Sequence, residues 1–307
     1  MKKIPLESTL VGAYRFLFTR IISIVGTVWL PFVLLAAIIG GLLYVSVPHA
    51  WLQGQFPQFH TPKEAFLAFM PLLRIYPALL LASLIIVSMV MVGLMRHSLR
   101  LKKGVTLIYF SLGGAVWRML GAFILVYIIL LVLIAVLAGI VVAFCLAAMP
   151  MMPKAPGIVA AVVLGVIAVC VYFYSAVRLT FFIPAVVVAE GKLGIGRSWQ
   201  LGGGNFWRIL VVFLLIVIPI GVIAWIAMQL TVTPAIVSVA ATLPHHGGPA
   251  HLTAVLRAMI PVLPAIVIIS LLERFAILGL MAGAIGTAYN AVTTPTETPM
   301  EKSAEGQ

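Results

Sequence analysis

Six long apolar runs dominate this chain, at roughly 21–47, 72–95, 119–149, 157–188, 209–232 and 258–289. A helix needs about 20 consecutive apolar residues to cross the hydrocarbon of a bilayer, and each run supplies that many or more. Backbone amides inside hydrocarbon have no water to bond, so a chain that crosses repeatedly does so as helices that satisfy their own hydrogen bonds. The reading is an all-α fold, a polytopic membrane helix bundle of about six transmembrane helices over residues 1–290. A polar, proline-containing tail at 291–307 is expected to be disordered. A soluble domain is excluded, because 64% of the 307 residues are hydrophobic and 8% are charged, against roughly 25% charged in soluble proteins. Runs longer than the minimum predict tilt or kinks, with Pro184, Pro219, Pro261 and Pro264 as natural kink positions.

The net charge of +12 has to be read by its position along the chain. If both termini are inside, Lys2, Lys3, Arg15, Arg20, Arg96, Arg100, Lys102, Lys103, Arg118, Lys192, Arg197, Arg208 and Lys302 fall on the cytoplasmic side. Only Lys63, Arg74, Lys154 and Arg257 fall outside, and Arg178 and Arg274 lie within apolar runs. That bias predicts a multi-pass protein of a bacterial inner membrane with N- and C-termini in the cytoplasm. It also makes anionic lipid headgroups, not nucleic acid, the expected partner of the positive charge. No short apolar region followed by a small-x-small cleavage site precedes the first run, so the first helix is read as uncleaved. An outer loop follows it, with a short amphipathic helix expected from about Thr61, Pro62 being its first helical residue. Cys145 and Cys170 sit in apolar runs and read as packing residues.

One element recurs. GGAVWRML at residues 113–120 and GGNFWRIL at 203–210 share the pattern Gly-Gly-x-apolar-Trp-Arg-apolar-Leu, and a weaker echo, GAYRFL, stands at 12–17. The pattern predicts three helical hairpins as internal repeats, each preceded by a basic amphipathic lead-in helix lying along the cytoplasmic face. Glycines such as Gly203 and Gly204 would end the lead-in, because they accept the left-handed backbone of a sharp turn. Trp117 and Trp207 would then sit at headgroup level while Arg118 and Arg208 reach phosphates, with Arg197, Trp199 and Asn205 in the same interfacial set. The arrangement serves plain anchoring or, alternatively, recognition of an anionic headgroup by arginines and free amides.

The stretch RLTFFIPAVVVAEGKLGIGRSWQLGGGNFWRIL, residues 178–210, resembles the signature of a bacterial membrane-domain family named after glycerophosphoryl diester phosphodiesterase. The matching positions are Arg178, Pro184, Glu190, Arg197, Ser198, Trp199, Asn205, Trp207 and Arg208. The resemblance implies a six-helix membrane part. Some members of that family carry a fused catalytic domain, for which this chain has no room, and the resemblance assigns no role to the signature residues.

Catalytic chemistry finds little to work with. The chain has no Asp, and between its terminal segments only Glu64, Glu190 and Glu273 are acidic. Metal-assisted phosphodiester hydrolysis would need several converging carboxylates or histidines. No Gly-x-Ser-x-Gly, His-Glu-x-x-His or phosphate-loop motif occurs. The expectation is a non-enzymatic membrane component without cofactor, structural, lipid-associated or accessory in role. A transporter or permease for a small or lipid-like solute is the alternative, and an atypical membrane enzyme comes third. Glu273 and Arg274 lie midway along the sixth run, where insertion costs about 2.5–3.5 kcal/mol for an Arg or Asp. Two arrangements of Arg178 compete: a buried pair with Glu273, or an arginine snorkelling inward while Glu273 stays neutral or wet. His245, His246 and His251 in the outer loop are weak metal-ligand candidates, and His97 alone of the histidines falls inside. Gly279, Gly283 and Gly286 are spaced for close helix packing, either within the chain or, through Gly279 and Gly283, in a homo-oligomer.

Overall fold

The computed structural model describes residues 2–48, 62–102, 104–148, 151, 153–240 and 260–293. Lys103, His245, His246, His251, Arg257 and the tail from residue 294 lie outside them. Six helices are long and apolar enough to cross a membrane, and no strand occurs among the described residues. The chain is a multi-pass helical membrane protein.

Helix α1, Leu6–Thr19, runs into α2, Ile21–Ser46, through a bend at Arg20. The bend is not a loop, since the Ile24 amide still reaches the Arg20 carbonyl at 2.9 Å. Helix α3, Pro62–Ser98, absorbs both the expected amphipathic helix and the second span. Its first quarter, PKEAFLAFM, holds Ala, Leu, Phe and Met and no glycine that would end it. Helix α4, Gly114–Ala143, begins one turn earlier than expected and closes in a π-helical turn at Phe144–Ala148. The expected fourth span divides into α5, Lys154–Thr180, and α6, Ile183–Glu190, at Phe181 and Phe182. Pro184 sits in the first turn of α6, where its missing N–H leaves the preceding turn of helix unbonded. A short α7, Ile195–Leu201, precedes α8, Phe206–Ala240, which carries Pro219 and Pro234 inside it. A 3-10 turn at Ile260–Val262, containing Pro261, leads into α9, Leu263–Thr293.

At a rise of about 1.5 Å per residue, α3 and α8 each exceed 50 Å, well beyond the ~30 Å hydrocarbon core. The excess matters because packing is uneven along the bundle. One end, here the basic end, gathers α1, the start of α2, the end of α3, the 190–208 segment and the end of α9. There Met89, Met95, Met119, Phe182, Ile209 and Leu280 are fully buried. Toward the far end the helices face outward, and the most apolar window of α4 has none of its residues buried inside the protein. That surface is the natural contact of acyl chains.

Two expectations about the basic end are corrected. Helix α1 does not lie flat beside the bundle but packs lengthwise on α9: Gly12 opposes Thr287, Ala13 opposes Gly283 and Leu17 opposes Gly279. The reversed order makes the pair antiparallel. A Cβ on Gly283 would stand 2.9 Å from the Cα of Ala13, so the small residues let the two backbones approach. The glycine stripe therefore packs within the chain, and α1 covers Gly279 and Gly283, which leaves neither open to a second copy. Gly286 is filled in the same way by Ser98, whose hydroxyl donates to the Ala282 carbonyl at 2.8 Å.

The second correction concerns the lead-in to α4, which is not a helix. Residues 104–113 run irregularly, from Gly104 in a left-handed conformation to Gly113, the residue before α4. Their Val-Thr-Leu-Ile-Tyr-Phe core is β-branched and aromatic, which opposes helix formation. The loop leans into the bundle instead. Gly26 makes room for the Thr106 carbonyl, Trp29 Nε1 donates to the Leu107 carbonyl at 2.8 Å, and Thr106 Oγ1 meets His97 Nε2 at 3.0 Å. Gly26 and Trp29 lie about 8 and 12 Å along α2 from its start, so the loop dips that far beside the helix. Thr106 and Tyr109 are buried by it, while Leu107 and Ile108 remain about two-thirds exposed.

Candidate interfacial site at the basic end

The break between α5 and α6 is where the site begins. Helix termination there leaves the carbonyls of Arg178 and Leu179 without their usual amide partners. Ser198, on α7, supplies one donor for both: its Oγ lies 2.8 Å from the Leu179 carbonyl and 3.4 Å from that of Arg178. This bond clamps α7 against the end of α5. Gly191 and Gly194, both with positive φ, bring the chain back sharply enough for that contact.

The clamp sets Trp199 beside Arg178. Nε of Arg178 donates to the Trp199 carbonyl at 3.1 Å, and Nη1 donates to the Tyr174 hydroxyl at 2.7 Å. The guanidinium carbon lies 4.0 Å from the centre of the Trp199 ring and 5.6 Å from that of Tyr174. Tyr174 in turn touches Trp199 edge-on and packs on Phe206 at 4.9 Å between ring centres. Gly202 completes the box from below, since a Cβ there would come within 2.8 Å of Arg178 Cγ. Of the two arrangements open to Arg178, the pair with Glu273 does not form: Arg178 occupies the last turn of α5 at the basic end, whereas Glu273 faces α8. Glu273 lines a cavity of about 260 Å³ with Ile220, Ala224, Ile269 and Ala276, and Arg274 is exposed.

Glu190, the last residue of α6, instead pairs with Arg197 Nε at 3.3 Å and accepts the Tyr289 hydroxyl of α9 at 3.0 Å. An ion pair this exposed is worth about 0–1 kcal/mol, so its role is to set the position of α7 relative to α9.

The glycine run then turns the chain into α8. The Gly202 amide reaches the Ser198 carbonyl, the Asn205 amide reaches the Gly202 carbonyl, and Gly204 takes φ +70, a left-handed conformation that glycine adopts without a steric penalty. Asn205 and Arg208 differ from expectation. Asn205 is 1% exposed, its side-chain oxygen accepts the Ile4 amide at 2.9 Å, and its Nδ2 donates to the Lys2 carbonyl at 3.1 Å. Arg208 Nη1 donates to the Ile4 carbonyl at 2.6 Å. Both residues thus strap the N-terminal segment to the start of α8, and neither Asn205 nor the buried Gly203 offers an open amide to an anion. Trp207, at 73% exposed, keeps its expected place on the surface.

In the other copy of the pattern, Trp117 is 55% exposed and Arg118 is exposed. Gly113 and Gly114 have no left-handed backbone, and the latter is simply the first residue of α4. The third echo, GAYRFL, lies inside α1, where Gly12 is a helical contact and not a turn. Among the described residues no three His, Cys, Asp or Glu side chains gather, and Cys145 and Cys170 are unbridged.

Sequence reasoning missed Tyr174, Tyr289 and the backbone of residues 2–4. Tyr174 stands one helical turn before Arg178, a spacing that signals the contact, but Tyr289 and the N-terminal strap reach the site through the tertiary fold and leave no local mark. Comparison of this chain with family models, curated proteins and solved structures finds no match in any of the three.

Proposed function

We propose that the chain is a non-enzymatic component of a bacterial inner membrane whose basic end rests on the cytoplasmic leaflet and associates with anionic lipid. Both termini are cytoplasmic in this reading, and the likeness of residues 178–210 to the signature of the phosphodiesterase-named membrane family supports a stand-alone membrane role. One observation carries the proposal: exposed Trp117, Trp207 and Arg118 share the end of the bundle that holds Arg15, Arg20, Arg96 and Arg100. Indole rings favour the headgroup region, and each cation near an anionic leaflet contributes about 1 kcal/mol. The exposed apolar side chains of Leu107 and Ile108, between Arg100 and Arg118, fit insertion among the headgroups.

The test is reconstitution into nanodiscs of mixed phosphatidylcholine and phosphatidylglycerol, followed by measurement of the lipid retained when the protein is re-extracted. Retention enriched in the anionic lipid, and lost at high salt, is expected. Retention matching the input mixture would sink the proposal.

The alternative, a permease for a small or lipid-like solute, draws on Glu273, the one ionisable side chain lining the α8–α9 cavity. A solute flux abolished by Glu273→Gln would move the function to that cavity.

A further inference from the structure

We propose that Arg178, boxed by Tyr174, Trp199 and Gly202, is a binding site for a phosphate group, supplied by the headgroup of an anionic lipid or by a free phosphate ester. The inference rests on the membrane-interface reading above and names the residue that would give it specificity.

The reasoning is electrostatic and geometric. A guanidinium carries five N–H donors and never loses its charge at physiological pH. Two of the groups on Arg178 are committed, Nε to the Trp199 carbonyl and Nη1 to the Tyr174 hydroxyl, and both acceptors are neutral. The Nη2 amino group has no protein partner among the described residues. Nor does any carboxylate there neutralise Arg178, since the ion pair among those residues joins Glu190 to Arg197. A half-buried cation with no counter-charge is costly next to hydrocarbon, and an anion is what relieves that cost.

The box also fixes orientation. Stacking on Trp199 at 4.0 Å holds the plane of the guanidinium, and the two bonds prevent its rotation within that plane, so the free edge points in one direction. A planar fork held in this way matches two oxygens of a phosphate, and charge-assisted bonds of that kind are roughly twice as strong as neutral ones. Plain snorkelling would need none of this preparation: a lone arginine reaches the headgroups with a freely moving side chain. Here Ser198 clamps Trp199 into place, Tyr174 stands one turn back, and Gly202 is stripped of a side chain beside Arg178 Cγ.

The experiment compares wild type with Arg178→Lys in nanodiscs, with retained phosphatidylglycerol counted by native mass spectrometry. Lysine keeps the charge but cannot present a planar fork, so roughly a three- to tenfold loss of the tightest-bound phosphatidylglycerol is expected, with the general anionic enrichment kept. Tyr174→Phe, which preserves the rings and removes one bond, should lose about twofold and serves if the lysine variant does not fold. Adding millimolar glycerol phosphate separates the two sources. Displacement of the retained lipid makes the phosphate itself the ligand; no displacement makes it the intact lipid. An unchanged tight-binding population in both variants overturns the site while leaving the broader lipid reading intact. No anionic enrichment in wild type overturns both.

Discussion

The joints at 113–120 and 203–210 are nearly the same in letters and differ in nearly everything beneath the surface. Each places a tryptophan on the outside, Trp117 and Trp207, at the start of a spanning helix. The resemblance stops there. The second joint has a left-handed glycine, a buried Asn205 and an Arg208 committed to the protein's own N-terminus. In the first, Ala115 stands where Asn205 would be, Gly114 is ordinary helix, and Arg118 is open. A repeated sequence pattern thus reports a shared exposed tryptophan at the start of a spanning helix. It does not report shared backbone geometry, which the neighbouring chain decides.

Substitution at corresponding positions tests that difference. The largest effect is expected at Asn205. Asn205→Ala strips the buried Ile4 amide of its acceptor and the Lys2 carbonyl of its donor, at a cost of about 2–3 kcal/mol, whereas the reciprocal Ala115→Asn should be nearly neutral. Thermal unfolding in detergent should show a drop of several degrees for the first and almost none for the second. Arg208→Gln comes next, losing a charge-assisted bond to the Ile4 carbonyl worth about 1.5–3 kcal/mol. Arg118→Gln should leave the melting temperature within error and lower only the salt-sensitive binding of anionic vesicles. At the glycines the sign itself should reverse. Gly204→Ala forces an L-residue to φ +70 and costs about 1–2 kcal/mol, while Gly114→Ala, whose Cβ would meet only the end of the Arg118 side chain at 3.8 Å, should stabilise by about 0.4–1 kcal/mol.

The smallest effect involves the loop that leads to the first joint. Burial raises the pKa of Tyr109, against the opposing positive charge of Arg96. A raised pKa means the neutral phenol is favoured in the folded state, so its contribution is whole below the unfolded value of about 10 and fades as pH climbs through the folded one. Tyr109→Phe should therefore reduce the loss of stability as pH rises above about 10 in a denaturation series. An identical loss in wild type and variant would show that the loop does not enclose the ring.

Much of the fold was legible because lipid imposes one rule on every span: the apolar runs at 21–47 and 209–232 could hardly be anything but helices. The exposure of Trp117, Trp207 and Arg118 was legible from their place at the polar edge of two of the apolar runs. What sequence could not convey is what a particular neighbour demands. Nothing local distinguishes Asn205 from a solvent-facing cap until residues 2–4 arrive beside it. Arg178 sat in an apolar run that left pairing with Glu273 and snorkelling both open, and the break at Phe181 and Phe182 put it at an edge beside Trp199. The glycines of α9 were correctly read as a packing stripe, but α1, polar enough to pass for a surface helix, was the partner.

The docking of residues 2–19 has a consequence for biosynthesis. Ile4 finds its partners 201 and 204 positions later, at Asn205 and Arg208, and α1 finds its groove only once α9 is made. Until then α1 has an exposed Val11 and Phe18 on one face and no protein for the other. Completion of the bundle thus closes α1 upon α9, two segments made far apart in time. A tag or bulky group placed at residue 2 would stall the final step of assembly while leaving every helix inserted.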